Sequence, residues 1–312
     1  MFERNPKIKL FGDDWQFIGD PHMGRQFSQV SPQTQKALAI KQFEKFKELM
    51  QIPARYRCVV GDLFDKPHVP EWVIMQMIEL LDFPNTWVLR GNHDESKSDL
   101  DKSSFDLLQH TVLASRCVRE EPMLFYDGKL ALCGWSFKKT LLEQLEGLQP
   151  EVIVTHLDRL DYGSGSKNVI PFTELEARGV KRVINGHEHK PYQGWYGSLE
   201  YIGTGSLLPY THAEDPEEQL FVTLTKEQLL EQPDKYSEHF VRVLGEDLSG
   251  LEDFKCLALQ LKKPQTIEAQ DLVLEVANYS TNSLLREIGL ARGLPEHRIV
   301  VLQDMIEEAN ND

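Results

Sequence analysis

Short apolar runs recur along the first two thirds of the chain, and each one stops at a glycine or at a polar turn. The run at residues 58–60 reads as a buried strand that ends at Gly61. Because the carboxyl ends of parallel strands meet at one edge of a sheet, the polar residues that follow such runs should lie close together. The pattern predicts five strands of this kind, at residues 15–18, 58–60, 86–89, 152–154 and 183–184.

Two of the intervening segments have helical spacing. Ser31 followed by Pro32 is typical of a helix start, and residues 35–50 repeat apolar side chains along one helix face. Residues 71–81 predict a second helix. Later in the chain, two glycine-containing turns between apolar runs predict β-hairpins, at Asp127-Gly128 and Gly197-Ser198. Strands are thus paired with helices early and with hairpins late, which predicts helices layered around stacked sheets.

The pattern loosens between residues 212 and 250, where acidic and polar segments are broken by prolines. Order returns afterwards, because two alternating segments, one helical segment and a strand-like run follow. They lie at residues 254–261, 271–277, 281–291 and 298–302. We therefore expect a large domain over residues 1–246 and a small α+β module over residues 247–312.

Composition is that of an ordinary folded protein. The chain has 312 residues, 41% of them hydrophobic, which is enough for a sizeable core. No apolar run approaches the roughly 20 residues needed to cross a bilayer, and the N-terminus lacks the pattern of a secretory signal. We therefore expect no membrane association and a cytoplasmic location. The four cysteines form no C-x-x-C pair and are expected to be reduced and structural.

Polar motifs follow each of the five predicted strands. They offer carboxylate oxygen and imidazole nitrogen without a thiolate, a donor set that suits divalent manganese, iron or zinc. Each motif alone is a weak signal, since a lone Gly-Asp-x-His or His-x-His is more often an incidental turn. Together and in this order they indicate a metal site. The motifs are Gly19-Asp20-Pro21-His22, Gly61-Asp62-Leu63-Phe64-Asp65, Gly91-Asn92-His93-Asp94, Thr155-His156 and Gly186-His187-Glu188-His189.

Hydrolysis of a phosphoester explains why these residue types occur together. The attack needs a hydroxide at neutral pH and neutralisation of the charge that grows on the phosphoryl oxygens, and two cations about 3.5 to 4 Å apart supply both. A carboxylate must bridge two such cations. Asp62 is the natural bridge, because it follows Gly61 directly at the end of a buried strand.

The ordered motifs are similar to those of the calcineurin-like metallophosphoesterase superfamily, over roughly residues 15 to 210. Within it, the segments around Asp20, Asp62 and His187, followed by Gly205-Ser206, most resemble SbcD-type nuclease subunits of DNA double-strand-break repair. The resemblance implies an α/β fold, a four-layer α/β/β/α metallophosphoesterase sandwich with a small C-terminal α+β module. In that family the smaller domain caps the site and shapes how DNA enters it.

The resemblance also implies a role for each motif residue. His93 would protonate the leaving oxygen, with Asp94 as the group that orients it. Asp65 is expected behind the ligands, where a carboxylate fixes the tautomer of a histidine, or else in a solvated turn before Pro67. The implied cofactors are two divalent metal ions, in the first instance Mn²⁺. One would be held by Asp20, His22, Asp62 and His189, and the other by Asp62, Asn92, His156 and His187.

The leading functional prediction is a manganese-dependent DNA nuclease, an exonuclease subunit working with an SbcC-like ATPase partner. The alternative is a phosphatase or nucleotide phosphodiesterase acting on a small phosphorylated substrate. Phosphatases of the superfamily typically follow Gly-Asp-x-x-Asp with Arg-Gly, whereas this chain has Lys66-Pro67. A non-catalytic scaffold is disfavoured because every expected ligand and His93 are present. The oligomeric state is left open, with a homodimer as one option.

The negative net charge of the chain argues against a nuclease that binds DNA by itself. Acidic residues number 49 against 34 lysines and arginines, a formal net charge of −15, whereas a stand-alone DNA binder usually carries a basic footprint. DNA must then be held by a local basic strip or with the help of a partner. Arg25 is the best candidate for a nucleic-acid contact, because it follows the first metal motif. Four lysines in residues 36–47 could extend the strip or simply form a solvated helix face.

Overall fold

The structure is a computed structural model that describes residues 3–27, 30–96, 102–159, 167–215, 218–251 and 254–262. The strands are β1 Lys7–Leu10, β2 Asp13–Ile18, β3 Tyr56–Val60, β4 Thr86–Leu89, β5 Cys117–Val118, β6 Met123–Phe125, β7 Leu130–Leu132, β8 Val152–Thr155, β9 Arg182–Asn185, β10 Tyr192–Tyr196, β11 Leu199–Gly203, β12 Phe221–Thr225, β13 Phe240–Leu244 and β14 Ala258–Lys262. The α-helices are α1 Pro32–Gln51, α2 Glu71–Leu81, α3 Ser104–Leu107, α4 Leu141–Gln144, α5 Phe172–Ala177 and α6 Lys226–Glu231.

Two sheets form the centre of the fold. The first has the order β1-β2-β3-β4-β5, in which β2 to β5 are parallel and β1 is antiparallel to β2. The second has the order β10-β11-β9-β8-β7-β6, with parallel strands in its middle. Its two ends are the antiparallel hairpins β6–β7 and β10–β11. All five predicted strands, both predicted helices and both predicted hairpins are confirmed.

Side chains from the facing surfaces of the two sheets form a shared core. Phe17 and Val60 of the first sheet pack in one cluster with Val154 and Ile184 of the second. Trp15 is fully buried in the same cluster. Burying a large apolar side chain is worth about 1.5 to 3 kcal/mol, so this layer is a main source of stability.

Helices cover the outer face of each sheet. Neighbouring residues of a strand point to opposite faces, and Val59 accordingly packs with Phe46 of α1 and Met77 of α2. On the other side, Ile153 packs with Leu175 of α5. Strands buried on both faces read as continuous apolar runs, which is the pattern that the sequence shows. The predicted four-layer α/β/β/α sandwich is confirmed.

A third sheet, with the order β12-β13-β14, corrects the interpretation of residues 212–250 as a loosened segment. Its three strands are parallel, and α6 lies in the chain between the first two. Each strand is only five residues long and is flanked by polar or acidic segments, which hid it in the sequence. The expected strand at residues 254–261 is present as β14. Residues after 262 lie outside the described part, so the module at 247–312 and its boundary stay predictions.

Within the part of the chain that the structure describes, no helix combines the length and the apolar character that a membrane span requires. All four cysteines are free, and Cys58 and Cys133 are buried. Burial raises the pKa of the Cys133 thiol to about 12, which keeps it protonated and unreactive.

Candidate metal centre

The predicted ligands lie at the carboxyl ends of parallel strands, as their place in the sequence implies. Strands β2, β3, β4, β8 and β9 end within three residues of Asp20, Asp62, Asn92, His156 and His187, respectively. The loops after β2 and β3 are tied together, because the backbone N–H of His22 donates to the carbonyl of Asp62 at 2.9 Å. Both sheets thus present their ligands at one place.

Four of the predicted ligands have left-handed backbone conformations. Their φ angles are 40° at Asp20, 46° at His22, 48° at Asp62 and 68° at His187. This conformation costs roughly 1 to 2 kcal/mol for a residue with a side chain, and it persists where surrounding contacts enforce it. Here Asp20 accepts the backbone N–H of His187 at 2.9 Å, and Asp62 accepts that of His93 at 2.9 Å. Strain concentrated in this way is common at functional sites.

Gly61 allows the chain to pass against the ring of His156. Its φ is 86°, and a Cβ atom at this position would overlap the imidazole. Gly186 is equally confined, because a Cβ atom there would overlap the carbonyl oxygen of Val60. The glycines that precede Asp62 and His187 are therefore required by close approach, in addition to marking strand ends.

Asp20, His22 and His189 form the first group of ligands, called the His22 cluster below. One potential ligand atom of each lies within 4.8 Å of the others. The Nε2 atoms of the two histidines are 3.0 Å apart. Two imidazole nitrogens at this distance face each other with their lone pairs unless a proton or a cation lies between them.

Asp62, Asn92, His156 and His187 form the second group, called the His156 cluster. The side-chain oxygen of Asn92 lies 3.0 Å from His156 Nε2 and 3.0 Å from His187 Nδ1. Those two nitrogens are 3.4 Å apart. Asp62 has a ligand atom within 4.8 Å of both histidines. The structure thus brings together the residues named as ligands in the sequence analysis, and their assignment to two metals stays a prediction.

Asp62 also reaches the first cluster. Its Oδ1 lies 3.3 Å from His156 Nε2, and its Oδ2 lies 3.6 Å from His22 Nε2. The carboxylate is 2% exposed. A side chain that turns one oxygen towards each cluster has the geometry of a bridging ligand.

Each of the four histidines has its outer ring nitrogen against an oxygen atom. A carbonyl or carboxylate can only accept, so at His156, His187 and His189 the outer nitrogen carries the proton and the inner lone pair faces the other ligands. The pairs are His156 Nδ1 with the carbonyl of Val60 at 2.8 Å, His187 Nε2 with Asp158 at 2.8 Å, His189 Nδ1 with Glu214 at 3.2 Å, and His22 Nδ1 with Asp65 at 3.4 Å. The last contact is longer than a good hydrogen bond.

Electrostatics link Asp62 and His156. Burial opposes the charged form of each, yet the two charges stabilise one another. The pKa of Asp62 is held well below its usual range by His156 and His22. The pKa of His156 is raised to about 10 by Asp62 and Asp20. A protonated imidazole thus supplies the positive charge that the buried carboxylates require.

His93 lies beside both clusters without being committed to either. Its Nδ1 is 2.6 Å from the backbone carbonyl of Asp65, and its ring centroid is 4.8 Å from that of His22. Because the carbonyl accepts the Nδ1 proton, Nε2 is left to exchange a proton with another group. One ring nitrogen lies within 4.8 Å of ligand atoms of His22 and Asp62.

The predicted orienting role of Asp94 is corrected by its contacts. Asp94 is fully buried, and its carboxylate accepts the backbone N–H groups of Leu63, Phe64 and Gly91 at 2.9 to 3.1 Å. It ties the loop after β3 to the loop after β4, and the ring of His93 is oriented by Asp65. Burial, with the charge of Asp62, raises the pKa of Asp94 to about 7.

Asp65 and Arg25 lie together at the edge of the His22 cluster. Asp65 uses its carboxylate for His22 and its carbonyl for His93, the placement expected of a residue behind the ligands. Arg25 donates to Asp65 at 3.2 Å, and its guanidinium lies 4.4 Å from the centre of the Tyr210 ring. Arg25, the residue predicted to contact nucleic acid, thus lies at the edge of the metal centre, where its charge is partly neutralised by Asp65.

Asp158 and Glu214, the partners of His187 and His189, were not predicted from the sequence. Asp158 lies two residues after His156, and that spacing behind a ligand motif is a signal that could have been used. Glu214 belongs to an acidic segment far from His189 in the chain, and nothing local marks it. Only the tertiary fold brings the two together.

The residues present fit divalent metal ions. Two clusters of imidazole nitrogen and carboxylate oxygen lie side by side, each inner nitrogen is free of a proton in the neutral ring, and no thiolate is involved. The paired Nε2 atoms of His22 and His189 point to the same conclusion, because a shared cation removes their repulsion.

Comparison with known proteins gives the class. A family model described as calcineurin-like phosphoesterase matches residues 17–191, a segment that contains every ligand of both clusters and His93. The chain belongs to the calcineurin-like phosphoesterase family, and it is a metal-dependent phosphoesterase.

More distant comparisons add little. Among solved structures, phosphopantetheinyl hydrolase from Mycobacterium tuberculosis aligns with a TM-score of 0.37 and 12% identity, over 66% of this chain and 92% of that one. A similarity at this level carries no argument about substrate. No curated protein sequence matches the chain.

Proposed function

We propose that this phosphoesterase is a two-metal phosphodiesterase that cleaves DNA, in the manner of SbcD-type exonucleases. One observation carries the proposal. Asp62 turns an oxygen towards each of two histidine clusters, and His93 lies beside them with one ring nitrogen uncommitted. This arrangement provides for both ends of a displacement at phosphorus, the attack and the departure.

The clusters and His93 divide the chemistry. Divalent ions held by the clusters would lower the pKa of a water molecule and neutralise the charge on the phosphoryl oxygens. His93 donates its Nε2 proton to the leaving oxygen, while the carbonyl of Asp65 accepts a hydrogen bond from Nδ1 and so leaves Nε2 as the proton donor. A sugar oxygen is a poor leaving group, so this proton matters most for a nucleic-acid phosphodiester.

Two features support DNA as the substrate. The chain has Lys66-Pro67 after its second motif, as in SbcD-type nucleases and unlike the Arg-Gly of related phosphatases. Arg25 lies at the edge of the His22 cluster, where it can meet a phosphate of a bound strand. An SbcC-like ATPase would contribute the remaining phosphate contacts of an otherwise acidic protein.

A small phosphorylated substrate is the second candidate, and the charge of the chain favours it. A net charge of −15 repels a long polyanion, whereas a nucleotide or a small phosphoester meets only the local field of the centre. The two candidates therefore differ in the length of substrate that the protein can hold.

Incubation of the purified protein with Mn²⁺ and end-labelled single- and double-stranded oligonucleotides tests the proposal. We expect metal-dependent shortening of at least one of these substrates, and the product lengths report the direction of digestion. Mononucleotides and a nitrophenyl phosphodiester are the comparison substrates. Hydrolysis of these small compounds with intact oligonucleotides would reject DNA and favour the second candidate.

A further inference from the structure

A cavity of about 220 Å³ adjoins the metal centre. Arg25 and Tyr210 line it, and the Tyr210 ring lies 5.4 Å from the His22 ring. Arg242 and Gln260 also line it, and they are paired neighbours on β13 and β14. The third sheet, which no motif predicted, thus forms one wall of a cavity that shares Arg25 and Tyr210 with the surroundings of the His22 cluster.

The charge of this cavity is opposite to that of the protein. The chain has 49 acidic residues against 34 lysines and arginines, yet the described residues that line the cavity include two arginines and a histidine and no aspartate or glutamate. Arg25 has Asp65 as a partner outside the lining. The side chain of Arg242 makes no hydrogen bond or ion pair with any residue of the described ranges. Arg242 is partly buried, and a guanidinium without a paired acid is available to bind an anion.

We propose that this cavity is a second anion site, which holds a phosphate group of the substrate other than the one being cleaved. The inference rests on the proposed function, because it assigns the site to the same substrate. Guanidinium groups match the geometry of a phosphate and donate charge-assisted hydrogen bonds to it. The buried rings of Tyr210 and Phe240 lower the local dielectric and strengthen that attraction.

The phosphate could come from two sources that share this chemistry. One is the phosphodiester next to the scissile bond in a polynucleotide, and the other is a terminal phosphate on the strand. Three substrates separate them: a dinucleotide with one phosphodiester, the same dinucleotide with a terminal phosphate, and a trinucleotide. A trinucleotide whose second linkage is a neutral methylphosphonate is the control for the third.

Kinetics of the full-length protein and of Arg242→Gln provide the first test. In the wild-type protein, kcat/KM should rise about tenfold when the substrate carries the second anion, through a lower KM. In Arg242→Gln this gain should fall towards one. Arg242→Lys should keep part of the gain, which separates lost charge from a fold defect. Arg116→Gln is the matched control, since it removes an arginine that is paired with Asp82 and precedes β5.

A binding measurement without metal makes the test independent of catalysis. Inorganic phosphate in the presence of a chelator should raise the Tm of the wild-type protein and of Arg116→Gln, and should raise that of Arg242→Gln much less. The anion site is wrong if phosphate shifts all three proteins equally and the kinetic gain survives in Arg242→Gln. If the wild-type protein cleaves no nucleotide but shows the Arg242-dependent phosphate shift, the proposed function fails and the anion site stands.

Discussion

At each histidine of the two clusters, one ring nitrogen lies against an outer oxygen and the other faces the centre, although at His22 the outer contact, 3.4 Å to Asp65, is too long for a good hydrogen bond. The outer partner decides which atom can bind a metal, and removing such a partner typically lowers metal affinity by about 10- to 100-fold. The ligand residues could be predicted because each follows an apolar run. Of their partners, Asp65 was predicted and Asp158 could have been, but Glu214 and Val60 reach the histidines only through the tertiary fold.

Metal binding should release a proton from His156. In the metal-free protein its pKa is raised from 6.5 to about 10, so the ring is charged at pH 8 and must become neutral to act as a ligand. Calorimetric titration with Mn²⁺ in two buffers of different ionisation enthalpy should reveal about one proton released from this site. Affinity should rise with pH up to about 10. His110→Gln, an exposed control, should leave the release unchanged, and an absence of release in the wild-type protein would contradict the assignment.

His93 should contribute to proton transfer and little to metal binding. His93→Gln should keep the metal content of the wild-type protein and slow DNA cleavage by about 10²- to 10⁴-fold, the range for a positioned general acid. A nitrophenyl phosphodiester, whose leaving group needs no proton, should be affected much less. Equal losses on both substrates, or a lower metal content, would show that His93 is a ligand or a structural residue.

Among the elements, the ends of the strands were the most informative for predicting the fold and the ligand positions from the sequence. The glycine that ends β3 is followed by a ligand with left-handed backbone, and contacts with the facing sheet hold both in place. Apolar runs that end at a glycine or a polar turn were sufficient to predict these strands and helices layered around stacked sheets, whereas the four-layer order was implied by the family resemblance. The third sheet was missed because its short strands alternate with polar segments, so that their pairing, which is non-local, leaves little trace in the sequence.

Two glycine substitutions separate backbone strain from close approach. Gly61 and Gly128 have nearly equal φ angles, 86° and 85°, but a Cβ atom would overlap His156 at the first and meet nothing at the second. Gly128→Ala should lower the free energy of unfolding by about 1 kcal/mol, the cost of a left-handed alanine. Gly61→Ala should cost about 3 kcal/mol or more and reduce metal content. Urea denaturation measures both, and equal losses would argue against packing of Gly61 on His156.

At the scale of the whole molecule, the segment after β14 is the part with a predicted capping role. Every predicted ligand precedes residue 190, and the residues after Lys262 carry 9 acidic and 4 basic side chains. Such a segment is poorly suited to hold phosphates, so the capping role predicted for it depends on shape.

A chain truncated after Lys262 should keep the metal centre and the third sheet, and should still hydrolyse a nitrophenyl phosphodiester. Its digestion of DNA should fall much further than its activity on the small substrate. The salt dependence of DNA binding should change little, whereas Arg25→Gln should reduce the slope by about one phosphate contact. Undiminished digestion of duplex ends would reject the capping role.

Metal stoichiometry shows whether Asp62 bridges two metal ions. Elemental analysis of the purified protein after saturation with Mn²⁺ and removal of free metal should give about two ions per chain. Asp62→Asn, which keeps the shape but removes the bridging charge, should retain fewer ions and lose DNA cleavage. Asp106→Asn, a substitution away from both clusters, should behave as the wild-type protein does. Two retained ions and full activity in Asp62→Asn would show that Asp62 does not bridge the metal ions.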